Sequence, residues 1–187
     1  MSDVSGRVPA AVIERARRVR LAVFDVDGVL TDGRVVLGDD GYEYKAFHTH
    51  DGLGMRLLQD SGVDLAIITG RTSTVVSRRA EELRIRHLMQ GRSDKADALA
   101  ELLDRLGIDA EAAAYVGDDV VDLPAMQRAG LGIAVGSATP MTRAYADYVT
   151  EAAGGAGAAR EVAELIMAAQ GTLQARLARY LEADTGQ

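Results

Sequence analysis

Short apolar runs alternate along this chain with longer segments in which apolar residues recur every three or four positions. A short apolar run bounded by turn residues predicts a buried strand, and a spacing of three or four predicts an amphipathic helix. Strands that alternate with helices predict an α/β fold with a doubly wound, mostly parallel sheet. The predicted strands are Leu21–Asp25, Val63–Thr69, Ala113–Val116, Leu131–Val135 and Asp147–Val149.

Capping residues and glycines predict where the helices begin and end. Asp51 and Ser93 are predicted N-caps, and Gly62 and Gly107 follow predicted helix ends. The predicted helices cover Pro9–Arg20, Asp51–Ser61, about Ser73–Leu83, Asp94–Leu106, a segment around Pro124, and about Ala158–Gln170, followed by a polar helical tail.

Two β-prone runs, Arg34–Leu37 and Tyr42–Phe47, flank a turn-forming Gly-Asp-Asp-Gly sequence. This pattern predicts a β-hairpin over about residues 33–47. A second glycine-rich stretch, Gly154–Gly157, predicts a flexible segment that opens a C-terminal region over residues 154–187. We expect one domain over residues 1–187, which is long enough to bury a full core.

Composition narrows the class of protein. Hydrophobic residues make up 48% of the chain and charged residues 26%, as is typical of a globular protein. The net charge of −7 argues against nonspecific binding of nucleic acid, and no apolar run is long enough to cross a bilayer. Because the first twenty residues lack the apolar part of a signal peptide and the chain has no cysteine, we expect a cytoplasmic protein without disulfides.

The strongest chemical signal is a pair of carboxylates that interrupts the first apolar strand. Asp25 and Asp27 are two residues apart, so an extended backbone points both the same way, and Gly28 follows where the chain must turn. Two like charges at a strand end are costly unless a cation or a proton lies between them. The pair therefore predicts a metal-assisted nucleophile with an acid/base neighbour.

Other polar residues also fall at predicted strand ends, where open α/β sheets bind ligands. Thr69 ends the second strand, Asp118 follows the third, and Lys95 lies between them. Each also has a plain structural interpretation: Thr69 ends a strand, Lys95 is a solvated lysine in a first turn, and Asp118 with Asp119 caps a helix. Their joint occurrence with the first pair favours a functional site.

These motifs together resemble the haloacid-dehalogenase superfamily of phosphotransferases. The matching segments are DVDG at Asp25–Gly28, ITGR at Ile68–Arg71, Lys95, and GDDVVD at Gly117–Asp122. Four motifs in the expected order are a specific signal, although each alone is weak.

The resemblance implies a role for each motif. Asp25 is the nucleophile that forms an aspartyl phosphate, and Asp27 is the general acid and base. Thr69, Gly70 and Lys95 bind the phosphoryl oxygens. The implied cofactor is Mg²⁺, held by carboxylates of Asp25 and Asp118 and the backbone carbonyl of Asp27, with Asp119 and Asp122 in supporting positions.

Neither gap between the motifs is long enough for a separate cap domain. The fold is therefore expected to be cap-less, with the hairpin used in oligomerisation and a neighbouring subunit covering the site. Most of the chain, from about Arg20 to Gly171, is similar to the 3-deoxy-D-manno-octulosonate 8-phosphate (KDO 8-phosphate) phosphatase family. That resemblance implies a homotetramer, Mg²⁺, a sugar-acid phosphate as substrate, and a cytoplasmic step of lipopolysaccharide biosynthesis.

The same resemblance implies residues that bind the sugar acid. They are His48, Thr49, His50, Asp51, Gly52, Arg56, Arg71 and Arg79. His50 departs from the family pattern, which has a longer basic residue at this position.

The intact set of four motifs argues against a non-catalytic assembly protein that retains the fold. Two other alternative functions are open at this point. A nine-carbon sialic-acid-type 9-phosphate is the nearer alternative substrate, although Arg71 favours the eight-carbon acid, since the nine-carbon family has an acidic residue there. A receiver-type signalling domain is the other alternative, but its acidic pair and its phosphorylated aspartate lie on different strands, whereas Asp25 and Asp27 share one.

Overall fold

The computed structural model describes residues 8–39 and 43–181. Its strands are β1 (Leu21–Phe24), β2 (Val36–Leu37), β3 (Glu43–Tyr44), β4 (Asp64–Ile68), β5 (His87–Met89), β6 (Ala113–Gly117), β7 (Leu131–Ala134) and β8 (Tyr148–Val149). Its helices are α1 (Ala10–Arg18), α2 (Thr49–Asp60), α3 (Thr74–Glu82), α4 (Lys95–Leu106), α5 (Leu123–Arg128), α6 (Pro140–Tyr145), α7 (Ala158–Ala169) and α8 (Leu173–Leu181).

Six strands form one parallel sheet in the order β5-β4-β1-β6-β7-β8. Central strand β1 is fully buried, and its Val23 lies opposite Ala66 of β4 on one side and Tyr115 of β6 on the other. Helix α7 packs against α1 and α2, and α4 packs against α5. Such burial is expected of a parallel strand covered by helices on both faces, so the predicted α/β fold is confirmed.

The strand order places a ligand crevice beside β1. After β1 the chain forms β4 and β5 on one side of it, then returns to form β6, β7 and β8 on the other. A reversal of this kind leaves a crevice beyond the carboxyl ends of the two strands that meet there. Asp25 follows β1 and Asp118 follows β6, so both aspartates lie at this crevice.

A two-stranded antiparallel sheet follows β1, as predicted, with Val36 opposite Tyr44. Its strands are shorter than the predicted runs, and the turn residues Asp40 and Gly41 lie outside the described part of the chain. Over the described residues between β1 and β4, the chain forms this hairpin and α2 and no further domain. None of the described helices has the length and apolar content needed to span a membrane.

Two predicted helix starts are wrong by one to three residues. The N-cap of α2 is His48, and the N-cap of α4 is Asp94. Asp51 lies in the first turn of α2, and its carboxylate accepts hydrogen bonds from the backbone N–H groups of Gly157 (3.2 Å) and Arg160 (2.8 Å). It thus satisfies the free N–H groups at the start of α7, a different helix.

The glycine-rich segment before α7 is a packed turn rather than a flexible one. The N–H of Gly155 donates to the carbonyl of Val29, and a Cβ atom on Gly154 would lie 1.7 Å from the carbonyl oxygen of Gly28. The backbone of this turn therefore lies directly against the loop that follows Asp27, which only residues without a side chain permit.

Candidate active site

Asp25 and Lys95 form the buried centre of the candidate site. Asp25 is the first residue after β1 and Lys95 is the first residue of α4, and both are less than a tenth exposed. Lys95 Nζ lies 3.1 Å from Asp25 Oδ1. The fold thus brings together a carboxylate and an ammonium group that are 70 residues apart in the sequence, and the sequence analysis expects both at the phosphate site.

Asp122 supports this centre through hydrogen bonds. Its Oδ1 accepts hydrogen bonds from Lys95 Nζ (2.6 Å) and from the Tyr115 hydroxyl (3.2 Å). Its Oδ2 accepts from the backbone N–H groups of Asp118 (3.1 Å) and Asp119 (3.3 Å). Asp122 is fully buried, so four donors offset the cost of its charge and fix both the lysine and the loop that carries Asp118.

The carboxylates of this centre repel one another. Burial, followed by the charge of Asp122, raises the pKa of Asp25 to about 6. Burial and the charges of Asp122 and Asp25 raise the pKa of Asp118 to about 7. Burial alone would lower the pKa of Lys95, but attraction to Asp25 and Asp122 raises it, so the lysine stays charged.

A divalent cation fits this arrangement. Oxygen atoms of Asp25, Asp118 and Asp122 lie within 4.8 Å of one another. Asp25 Oδ1 is buried and lies beside Lys95 Nζ, but among the described residues no donor reaches it with hydrogen-bond geometry, whereas both oxygens of Asp122 accept hydrogen bonds. The carboxylates of Asp25 and Asp118 are therefore better placed than that of Asp122 to bind a cation, and carboxylate oxygens are what Mg²⁺ prefers.

Two glycine residues leave space for the side chains of Asp118 and Asp122. A Cβ atom on Gly28, whose φ is +94°, would lie 2.1 Å from Asp118 Oδ2. A Cβ atom on Gly117 would lie 2.4 Å from Asp122 Cβ. The glycines of both motifs therefore do more than form turns, because Gly28 leaves space for the carboxylate that follows β6 and Gly117 leaves space for the Asp122 side chain of its own motif.

An open cleft of about 380 Å³ lies above this centre. The structure brings most of the predicted phosphate-site residues to it, together with three that the sequence analysis did not single out for the site, Gly33, Ser93 and Val121. The predicted residues that line the cleft are Asp25, Asp27, Thr69, Gly70, Arg71, Lys95, Asp118 and Asp119.

Asp27 faces two residues that the sequence analysis missed. Its Oδ1 is paired with Lys45, whose ammonium group also lies 3.2 Å from Glu43 Oε1. Arg71 approaches both acids, with Nε 3.9 Å from Asp27 Oδ2 and Nη2 3.4 Å from Glu43 Oε1. One signal was available in the sequence: Lys45 and Lys95 are its only lysines.

The remaining predicted sugar-binding residues do not line this cleft. Four of them border a separate small pocket beside the Phe47 ring, where the Arg79 guanidinium lies 5.5 Å from the ring centre. These four are His48, Asp51, Gly52 and Arg79. The other three are exposed side chains on α2, namely Thr49, His50 and Arg56.

Comparison with known proteins gives consistent results. A family model described as haloacid dehalogenase-like hydrolase matches residues 84–162. The 3-deoxy-D-manno-octulosonate 8-phosphate phosphatase of Escherichia coli (strain K12) is 49% identical over 168 residues, which cover 90% of this chain and 89% of that protein.

Solved structures of the same enzyme superimpose well. The phosphatase from Moraxella catarrhalis, in complex with a magnesium ion, a phosphate ion and a KDO molecule, has a TM-score of 0.89 at 47% identity, covering 90% of this chain and 97% of that one. The cobalt-bound phosphatase from Haemophilus influenzae has a TM-score of 0.83 at 38% identity, covering 86% and 94%.

Proposed function

This chain belongs to the 3-deoxy-D-manno-octulosonate 8-phosphate phosphatase family of haloacid dehalogenase-like hydrolases, and we propose that it hydrolyses this eight-carbon sugar-acid phosphate to KDO and inorganic phosphate. The observation that carries the proposal is the cleft in which Asp25, Lys95 and Asp118 meet at the carboxyl ends of β1 and β6. Membership of a phosphoric monoester hydrolase family argues against the receiver-domain alternative.

In the first half-reaction, a carboxylate oxygen of Asp25 attacks phosphorus in line with the ester oxygen. The bond from phosphorus to that ester oxygen breaks, Asp27 donates its proton to the departing alkoxide, and an aspartyl phosphate remains on Asp25. Lys95, fixed by Asp122, stabilises the equatorial phosphoryl oxygens, as do the Thr69 hydroxyl and the Gly70 N–H.

In the second half-reaction, Asp27 acts as a base. It removes a proton from a water molecule that attacks the phosphorus of the aspartyl phosphate, which releases inorganic phosphate and restores Asp25. Asp27 thereby regains the proton that it gave to the sugar hydroxyl, so the cycle closes without an external proton donor.

The carboxylates of Asp25 and Asp118, with the backbone carbonyl of Asp27, would hold Mg²⁺. When bound, the ion supplies positive charge to the transferring phosphoryl group. Asp122 and Asp119 support these residues, and Asp122 does so through the four hydrogen bonds that it accepts.

Arg71 is the cation placed to meet the substrate carboxylate. It lines the cleft, and its side chain is half exposed, so it is accessible beyond the phosphate position. The seven other sugar-binding residues lie outside the cleft of one chain, and we propose that they act across a homotetramer in which a neighbouring subunit covers the site. The proposed setting is cytoplasmic, in lipopolysaccharide biosynthesis.

The experiment is a phosphate-release assay on the eight-carbon and nine-carbon acid phosphates, each with Mg²⁺ and with chelator. We expect a higher kcat/KM for the eight-carbon ester and no turnover after chelation. The control is Asp25→Asn, which removes the attacking oxygen and should release no phosphate. A preference for the nine-carbon ester would overturn the substrate assignment but not the phosphatase chemistry.

A further inference from the structure

The two aspartates of the DVDG motif each lie against a different lysine. Lys95 lies against Asp25, and Lys45 forms an ion pair with Asp27. The chain has no other lysine among its 21 basic residues. Lys95 belongs to a recognised motif of the site, whereas Lys45 comes from the chain just after β3 of the hairpin and has no role in the mechanism above.

The side chain of Lys45 is buried within the site rather than exposed at its surface. It is only 2% exposed, and its ammonium group lies between the carboxylates of Asp27 and Glu43. Arg71 contacts the same two acidic side chains from the cleft side, so two acidic and two basic side chains alternate in a closed group. A buried ammonium group is costly without such partners, which makes its position specific.

Asp27 needs this kind of support. It lies in a loop rather than in β1, its carboxylate is 20% exposed, and the reaction requires that carboxylate within hydrogen-bond reach of the ester oxygen. Lys45 pairs with Oδ1 and Arg71 approaches Oδ2, so the two cations together define where the carboxylate points.

We infer that Lys45 is a positioning residue that holds Asp27 in the orientation from which it protonates the leaving alkoxide. The inference rests on the proposed function in that it takes Asp27 as the general acid. The competing explanation is that Lys45 only neutralises Glu43 and attaches the hairpin to the sheet.

The test compares two leaving groups in the Lys45→Met variant, which keeps the aliphatic stem and removes the charge. The kcat/KM value covers the steps up to release of the alcohol, so it reports on the half-reaction in which Asp27 is the acid. A primary alkyl sugar phosphate needs that acid, whereas p-nitrophenyl phosphate has a leaving group stable enough to depart without it.

We expect Lys45→Met to lower kcat/KM for the sugar phosphate by at least about tenfold, the effect typical of a lost supporting contact. For p-nitrophenyl phosphate the loss should stay below about threefold, since general-acid assistance worth roughly 10²–10⁴ is not used there. Lys45→Arg should recover part of the lost activity, because it restores the charge beside Asp27.

Two further variants distinguish positioning of Asp27 from neutralisation of Glu43. In an Asp27→Asn background, Lys45→Met should cause no additional loss, because residues that act as one unit are not additive. Combining Glu43→Gln with Lys45→Met removes the acid that has lost its lysine partner but does not repair the position of Asp27, so sugar-phosphate activity should stay low. Recovery to the wild-type value in that double variant would overturn the inference.

An equal loss of activity on both substrates would overturn it as well. Circular dichroism and thermal unfolding check that each variant is folded. Should Lys45→Met not fold, Lys45→Gln is measured against the same two thresholds. Failure of the proposed function would be seen differently. The wild-type enzyme would then hydrolyse other primary alkyl phosphates but not the eight-carbon acid phosphate. The Lys45 variants would in that case be compared on those other esters.

Discussion

Gly28 is the residue whose replacement tests the metal site most directly. The methyl group of an alanine there would lie 2.1 Å from Asp118 Oδ2, and the alanine backbone would have to adopt a φ of +94°. We therefore expect Gly28→Ala to displace the Asp118 carboxylate and to weaken Mg²⁺ binding at least about tenfold. Isothermal titration calorimetry with Mg²⁺ and no substrate measures this directly.

The matched control for that variant is Gly62→Ala. Gly62 has a φ of +100°, but its Cβ position has no atom within 4 Å. Both variants should lose stability of order 1–3 kcal/mol from backbone strain, yet only Gly28→Ala should lose metal affinity. Unchanged Mg²⁺ affinity in Gly28→Ala would mean that the Asp118 carboxylate is not a ligand.

The residues that could be predicted from the sequence are those that belong to local motifs. Asp25 ends an apolar run, Asp27 and Asp118 each stand beside a glycine at such an end, and their place at the crevice follows from the strand pattern. Lys45 could not be placed in this way, because its pairing with Asp27 depends on how the hairpin folds back. Tyr115 looked like an ordinary strand residue, and its contact with Asp122 needs the turn between them.

At the scale of elements, α3 ends in an unusual way. Four of the described helices end with the same pair of backbone hydrogen bonds, in which the N–H that follows a residue of positive φ bonds the carbonyl five residues back. Gly62, Gly107 and Gly171 take the left-handed position after α2, α4 and α7. After α3 that position is held by Arg84, at a φ of +58°.

We expect Arg84→Gly to raise the free energy of unfolding by about 1 kcal/mol, because it removes the strain of a side chain in the left-handed region. Urea denaturation measures the change. The control is Arg86→Gly, at a neighbouring position with no positive φ, which should instead lower stability by about 0.5–1 kcal/mol through added freedom of the unfolded chain. A loss in both variants would contradict the strain argument.

The elements missed by the sequence analysis are the short ones. Strand β5 has three half-buried residues at the sheet edge, preceded by arginines, and lacks the apolar run that marks β1 or β6. Helix α6 has six residues, too few to show helical periodicity. The glycine-rich turn before α7 was misread for a different reason, since composition alone does not distinguish a mobile segment from a backbone that packs closely.

At the scale of the whole molecule, the catalytic cleft has no cover within the described chain. It is open to solvent, and beside it the hairpin exposes apolar side chains, Val35, Val36 and Tyr44, at 48%, 53% and 56%. Phosphoryl transfer benefits from exclusion of water, and an exposed apolar strand pair is a natural surface for association. These two features support the proposed assembly, in which hairpins meet and a neighbour covers each cleft.

We expect the protein to form an assembly larger than a dimer at micromolar concentration, measured by light scattering or analytical ultracentrifugation. The double variant Val36→Asp with Tyr44→Asp places charges on the exposed hairpin face and should produce smaller species with lower kcat/KM for the sugar phosphate. Met141→Asp is the control, because Met141 is equally exposed at 53% but lies on α6. A monomeric wild-type protein with full activity would show that one chain is sufficient, and the seven residues outside the cleft would then need another role.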